Sequence, residues 1–133
     1  MAITKNRGRQ ELIVAYVDFT YADIPTTATA YAAMDIPVDA IVVGGDLVVT
    51  TAWNTATSAT LSVGDVTSAT RYATTVDLKT AARTALTLTG FTHTATQPVL
   101  NGTTAFSGTA ATAGAARLTV HYIVKKRAAF TQG

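Results

Sequence analysis

The sequence predicts an all-β chain, an antiparallel β-sandwich of the jelly-roll type with little helix. Three observations point there. About seven to nine short segments carry apolar residues in alternation or in brief runs, separated by Gly, Pro, Asn and Asp. Threonine, β-branched and suited to a pleated surface, is the commonest residue at 27, followed by 25 alanines. Only 14% of residues are charged, against roughly 25% in an ordinary soluble domain. A Thr-rich, charge-poor surface suits a chain packed against other chains, and equally a soluble β-domain with Thr on its wet faces. A length of 133 residues fits one domain with a real core.

Residues 1–10 read as a flexible basic arm, with Asn6, Gly8 and no apolar period, and residues 11–133 as one domain ending in a short basic tail. Glu11 to Tyr21 is a strong strand. Leu12, Val14 and Tyr16 fall on one face, and Ile13, Ala15, Val17, Phe19 and Tyr21 on the other. Apolar residues on both faces imply a strand covered on both sides or one at an interface. Pro25 and Pro37 break the next stretch, whose middle, Thr27 to Met34, reads as a short helix or an irregular connection.

"AIVVGGDLVVTTAW" is either a hairpin about Gly44-Gly45-Asp46 or one long strand kinked by a glycine bulge. These glycines do not make a phosphate loop, because no Lys-Ser/Thr and no helical pattern follow. Thr60 to Val63 alternates as a strand. "RYATTVDLKTAARTA" is the best local helix candidate, a short helix or a loop, with Val76, Leu78 and Ala82 loosely spaced. "ALTLTGF" reads as a strand with Leu86 and Leu88 on one face. Asn101-Gly102 is the strongest turn signal of the chain. "AARLTVHYIVKK" closes the domain, with Leu118, Val120, Tyr122 and Val124 facing in and Arg117, Thr119, His121 and Ile123 facing out.

Charge is uneven. Lys5, Arg7 and Arg9 stand near one end, and Lys125, Lys126 and Arg127 near the other. Between Leu12 and Val124 lie four basic residues and seven acidic ones, a net of −3. Basic ends suit an acidic protein surface, nucleic acid or plain solvation. Without interleaved aromatics, no nucleic-acid partner is expected. The N-terminal charges precede a short apolar run that Asp18 interrupts, so neither a signal peptide nor a membrane span is expected, and synthesis in a cytoplasm is.

No enzyme chemistry is expected. There is no cysteine, hence no disulfide and no thiolate. His93 and His121 stand alone in strand-like sequence and read as solvent-facing or interface residues. Asp18, Asp23, Asp35, Asp39, Asp46, Asp65 and Asp77 are scattered, mostly where an Asp caps a turn. No catalytic residue, metal ligand or cofactor site is assigned. The single tryptophan, Trp53, is either a platform for a sugar ring or the packed corner after "LVVTTA", and the lack of accompanying exposed aromatics favours the corner.

The segment order also carries a family resemblance. "DIPVDAIVVGGDLVVTTAWNTATSATLSVGD", Asp35 to Asp65, resembles a segment recurring in the jelly-roll cement or decoration proteins of tailed-bacteriophage capsids. "RYATTVDLKTAARTALTLTGF" and "ATAGAARLTVHYIVKKRAAFTQ" follow the same pattern, so the resemblance runs from about Asp35 to Gln132. It implies a structural protein, a homotrimer bound to the major capsid protein on the outer surface of the expanded head, bridging neighbouring capsomers. On that reading Lys5, Arg7, Arg9, Lys125, Lys126 and Arg127 are the expected capsid contacts. Alternatives are a virion module recognising host-surface carbohydrate, with Trp53 or the tyrosines at the site, and a tail or head-completion subunit.

Overall fold

In the computed structural model, which describes residues 12–125, eight strands form two four-stranded antiparallel sheets. The strands are β1 (Ile13–Thr20), β2 (Ala30–Asp35), β3 (Ala40–Thr51), β4 (Ser58–Gly64), β5 (Ala73–Asp77), β6 (Arg83–Ala85), β7 (Val99–Ser107) and β8 (Ala115–Val124). One sheet runs β1-β8-β3-β6 and the other β2-β7-β4-β5. Every connection except β4 to β5 crosses between the sheets, which is the wrapped Greek-key path of a jelly roll. The expected all-β sandwich is therefore present, and no helix occurs among the described residues.

The core lies between the sheets. Leu47, Leu118 and Val120 from one join Leu61, Val63 and Leu100 from the other, each at most 3% exposed. Each such burial stabilises the fold by about 1.5–3 kcal/mol. The closing strand follows its expected alternation: Leu118, Val120 and Tyr122 are buried, while Arg117, Thr119, His121 and Ile123 occupy the other face.

"AIVVGGDLVVTT" is one long strand rather than a hairpin. Val42 faces Tyr122 and Gly44 faces His121, so Val43 is an extra residue that bulges outward. Gly45 then carries φ 139°, and a Cβ there would collide with the Thr119 carbonyl oxygen and stand 2.9 Å from the Leu86 side chain. Leu86 fills that space and donates its N–H to the Gly45 carbonyl at 3.1 Å. Gly45→Ala is expected to cost about 2–3 kcal/mol, from the strained conformation and the displaced neighbours. Urea unfolding measures it, and an unchanged midpoint would refute the close packing over β3.

Four local expectations are corrected. Residues 71–85 hold β5, a turn and β6, with no helix. The helix-like spacing has a β cause: Leu61 pairs with Val76 and Val63 with Ala73, so β5 spends three residues against two of β4, and Thr75 sits at φ 44°. Ala73 and Val76, three apart, both reach the core through this bulge. Asn101-Gly102 lies inside β7, where a Cβ on Gly102 would stand 3.1 Å from the Leu61 side chain of β4. Leu86 is buried but Leu88 is 51% exposed, because β6 ends at Ala85 and the alternation stops. Within Thr27 to Met34, residues from Ala30 onward form β2, which pairs with β7 through a bulge at Ala33.

Candidate interaction surfaces

The first candidate, Trp53, is a corner and not a platform. It is 2% exposed, its ring centroid lies 6.1 Å from that of Phe19, and its ring covers Gly114. Its backbone N–H donates to the Leu78 carbonyl at 2.9 Å. The next residue, Asn54, accepts the N–H groups of Thr112 and Ala113 at 2.7 and 3.1 Å and donates to the Thr112 hydroxyl at 2.8 Å. The Trp-Asn pair thus fastens the end of β3 to the segment before β8. Stacking on a sugar needs an open ring face, and this ring has none.

The histidines part company. His121 is half-buried on the outer face of its sheet, its ring against Gly44. His93, expected at the surface, is fully buried, which corrects that expectation. The Gln97 carbonyl stands 3.1 Å from Nδ1 and can only accept, so Nδ1 carries a proton. Nε2 stands 2.7 Å from the Tyr72 hydroxyl, within hydrogen-bond distance. Burial pushes the Tyr72 hydroxyl up to about 12; the Arg71 charge opposes this and the Asp65 charge adds to it. Tyr72 therefore keeps its proton across the ordinary pH range. Phe91 meets the His93 ring edge-on at 5.2 Å and lies under the Arg71 guanidinium at 3.5 Å.

Asp65 completes this cluster. Its carboxylate accepts Arg71 Nε at 2.6 Å and Nη2 at 3.3 Å, and the N–H groups of Thr67 and Ser68 at 2.9 Å each. Burial by itself would raise its pKa, but the Arg71 and backbone hydrogen bonds and the Arg71 charge together hold it below the usual 3.8. The Gln97 side chain donates to the Thr67 hydroxyl at 2.9 Å, joining the β4–β5 turn to residues 91–97. Tyr72, His93, Gln97 and Asp65 are each less than a tenth exposed, so no substrate reaches them. The cluster clasps two loops. Its one sequence trace was Asp65 followed by Thr67-Ser68, an Asp-capped turn; long-range contact brought in the rest.

Among the described residues no group of His, Asp and Glu is placed to hold a metal ion. Lys125 is exposed just beyond β8, its N–H donating to the Asp39 carbonyl at 3.0 Å. Lys5, Arg7, Arg9, Lys126 and Arg127 lie outside the described residues. Because Ile13 pairs with Tyr122, β1 begins where β8 ends, and the segments carrying both basic groups leave from one end of the sandwich.

That same end bears an apolar face. Leu12, Val14 and Tyr16 are 60%, 55% and 67% exposed, and Val43 is 42% exposed. Register places Val14 beside His121 and Tyr16 beside Thr119 on the outer side of the sheet. Further along this face the residues become charged. Asp18 lies beside Arg117, and Asp46 accepts Arg83 Nε at 2.6 Å. A protein surface that is apolar at one end and charge-balanced at the other is equipped for contact.

Comparison with solved structures gives this surface a setting. The chain is similar to a chain of the cyanophage Pam1 capsid asymmetric unit, with 27% identity over 93% of this chain and 91% of that one and a TM-score of 0.67. It also matches a chain of Bacillus endospore appendages, a family of disulfide-linked pili, at 16% identity over 94% and 98% of the two chains, with a TM-score of 0.45. No protein-family model matches the sequence, and neither does any curated protein. Likeness over nearly the whole of both chains supports a phage-capsid-related, structural protein of the virion.

Proposed function

We propose that this chain is a capsid decoration, or cement, protein, which binds the outer surface of the expanded phage head as a homotrimer and bridges neighbouring capsomers. The observation that carries the reading is the full-length likeness to a chain of the Pam1 capsid asymmetric unit. The buried Trp53 and the closed His93 cluster support it, since neither offers a site for a sugar or a substrate.

A cement protein works by linkage. It binds the assembled lattice and not the separated subunits, so occupancy draws the equilibrium toward the intact shell. Many copies, each touching two capsomers, add their modest affinities through high effective concentration. The basic groups at the two chain ends, Lys5, Arg7, Arg9, Lys125, Lys126 and Arg127, are the proposed contacts with acidic positions on the shell.

Co-sedimentation with empty expanded heads of the cognate phage tests this. Saturable binding at hundreds of copies per head is expected, weakening strongly as salt shortens the reach of charge from about 10 Å at 0.1 M to about 3 Å at 1 M. Recovery of the protein in tails, with none on heads, would overturn the reading. Deleting residues 2–10 removes three of the six basic side chains at the ends. It should weaken head binding about tenfold, at up to ~1 kcal/mol for each exposed pair, while the melting temperature stays unchanged. Unchanged binding would remove the arm from the contact.

A further inference from the structure

We infer that the outer face of the β1-β8-β3 sheet is a self-contact, and that its closure gathers the basic ends of several copies onto one side of the assembly. The first half stands on the fold and takes one supporting reason from the function proposed above; the second rests on that function.

The face is unusual for one that meets water. Leu12, Val14 and Tyr16 form a row along β1, each more than half exposed, with Val43 beyond them on β3 and the half-buried Ile123 and His121 of β8 between. Among the described residues β1 pairs with β8 alone, so this apolar row borders a strand edge left open by them. The rest of the described surface scatters its large apolar residues singly, as at Val38, Val66 and Leu88. A contiguous apolar patch marks an interface.

Two features select a second copy of this chain as the occupant. The charged part of the face holds Asp18 and Asp46 against Arg83 and Arg117, so its signs balance. Opposite signs on one face let the acidic side chains of one copy meet the basic ones of the next around a closed ring, whereas a face shaped for an acidic shell would carry a single sign. Asp18 and Arg117, moreover, make no ion pair among the described residues, which leaves both for a partner. The second feature is timing. A chain that meets its shell only after the head expands must remain soluble until then, and a patch of this kind is covered from synthesis onward most directly by its own copies.

Geometry supplies the consequence. Leu12 and Ile123 belong to the end of the sandwich from which residues 1–11 and 126–133 depart. Each copy brings six basic side chains within those ends and Lys125. Joining copies through this face sets those groups side by side, so one assembly meets the shell with a multiple of the single-chain charge.

The test is sedimentation equilibrium of the full chain, with three variants. Wild type is expected to be an oligomer at tens of micromolar or below. Val14→Asp should be monomeric, as should the double variant Val14→Thr/Tyr16→Thr, which keeps β-branched residues in the strand and guards against misfolding. Val66→Asp, at a 72% exposed apolar residue elsewhere, should stay oligomeric. A monomeric wild type, or a folded double variant that remains oligomeric, would overturn the inference. On heads, the monomeric variant should bind at least about a hundredfold more weakly than wild type although its basic ends are intact. Equal binding would refute the gathering of charge. An oligomer that ignores heads would refute the proposed function and leave the self-contact standing.

Discussion

Asp65→Ala is expected to lower the unfolding free energy by about 3 kcal/mol, near the low end of the 3–5 kcal/mol typical when one partner of a buried ion pair is removed. The reason is what stays behind. Arg71 is 14% exposed at its side chain and lies over Phe91, so its charge would remain largely out of water with no carboxylate beside it. The N–H groups of Thr67 and Ser68 would lose their acceptor as well. The partial exposure of Arg71 is why the low end is expected. For a domain of this size the loss amounts to about 10 °C in Tm. Asp65→Asn keeps an oxygen for the two N–H groups and should fall between the two. A loss below about 1 kcal/mol for the alanine variant would mean that the clasp contributes little.

The same pair makes stability depend on acid. The folded pKa of Asp65 lies below its unfolded value near 3.8. Its contribution is therefore complete above that value and disappears as pH falls through the lower folded one. The stability gap between wild type and Asp65→Asn should be constant from about pH 7 to about pH 5 and should close below about pH 3.8. Urea unfolding at stepped pH reads this directly. A gap that persists unchanged in strong acid would assign the effect to shape and not to charge.

Trp53→Ala is the second large effect, a loss of about 3–5 kcal/mol from the cavity left at the corner of the sandwich. The indole packs on Phe19 and covers Gly114, so its removal loosens both the end of β1 and the approach to β8. One term works the other way. The indole N–H is buried with no hydrogen-bond partner among the described residues, and removing it relieves a cost of about 1–3 kcal/mol. Trp53→Phe deletes the N–H and keeps most of the ring, so it should cost far less than alanine, about 1 kcal/mol or under. Circular dichroism during denaturation suits both variants, which lack the tryptophan signal. Equal losses for Phe and Ala would show that the corner depends on the whole indole outline.

Local chemistry made the strands legible. Alternation in Leu12 to Phe19 and in Leu118 to Val124 placed the two outer faces correctly, because a pleated strand sends successive side chains to opposite sides wherever its ladder is regular. The supply of reactive groups was equally legible in composition: the chain has no cysteine and two histidines far apart in sequence. Where the ladder is irregular the reading went astray. The bulge at Thr75 set Ala73 and Val76 at a helical spacing, and the turn-like Asn101-Gly102 is a strand in which glycine makes room for Leu61.

The sequence by itself determined the fold class, the strands at either end of the domain and the concentration of basic charge at its termini, all properties of neighbouring residues. The tertiary structure decided what lies beyond that range. It buried His93 between Tyr72 and Gln97, joined Asp65 to Arg71 over Phe91, and turned Trp53 inward against Gly114. It also brought the apolar row of β1 to the end from which both basic segments leave. Each of these depends on residues brought together by strand pairing and sheet packing, and no local propensity encodes a partner tens of residues away.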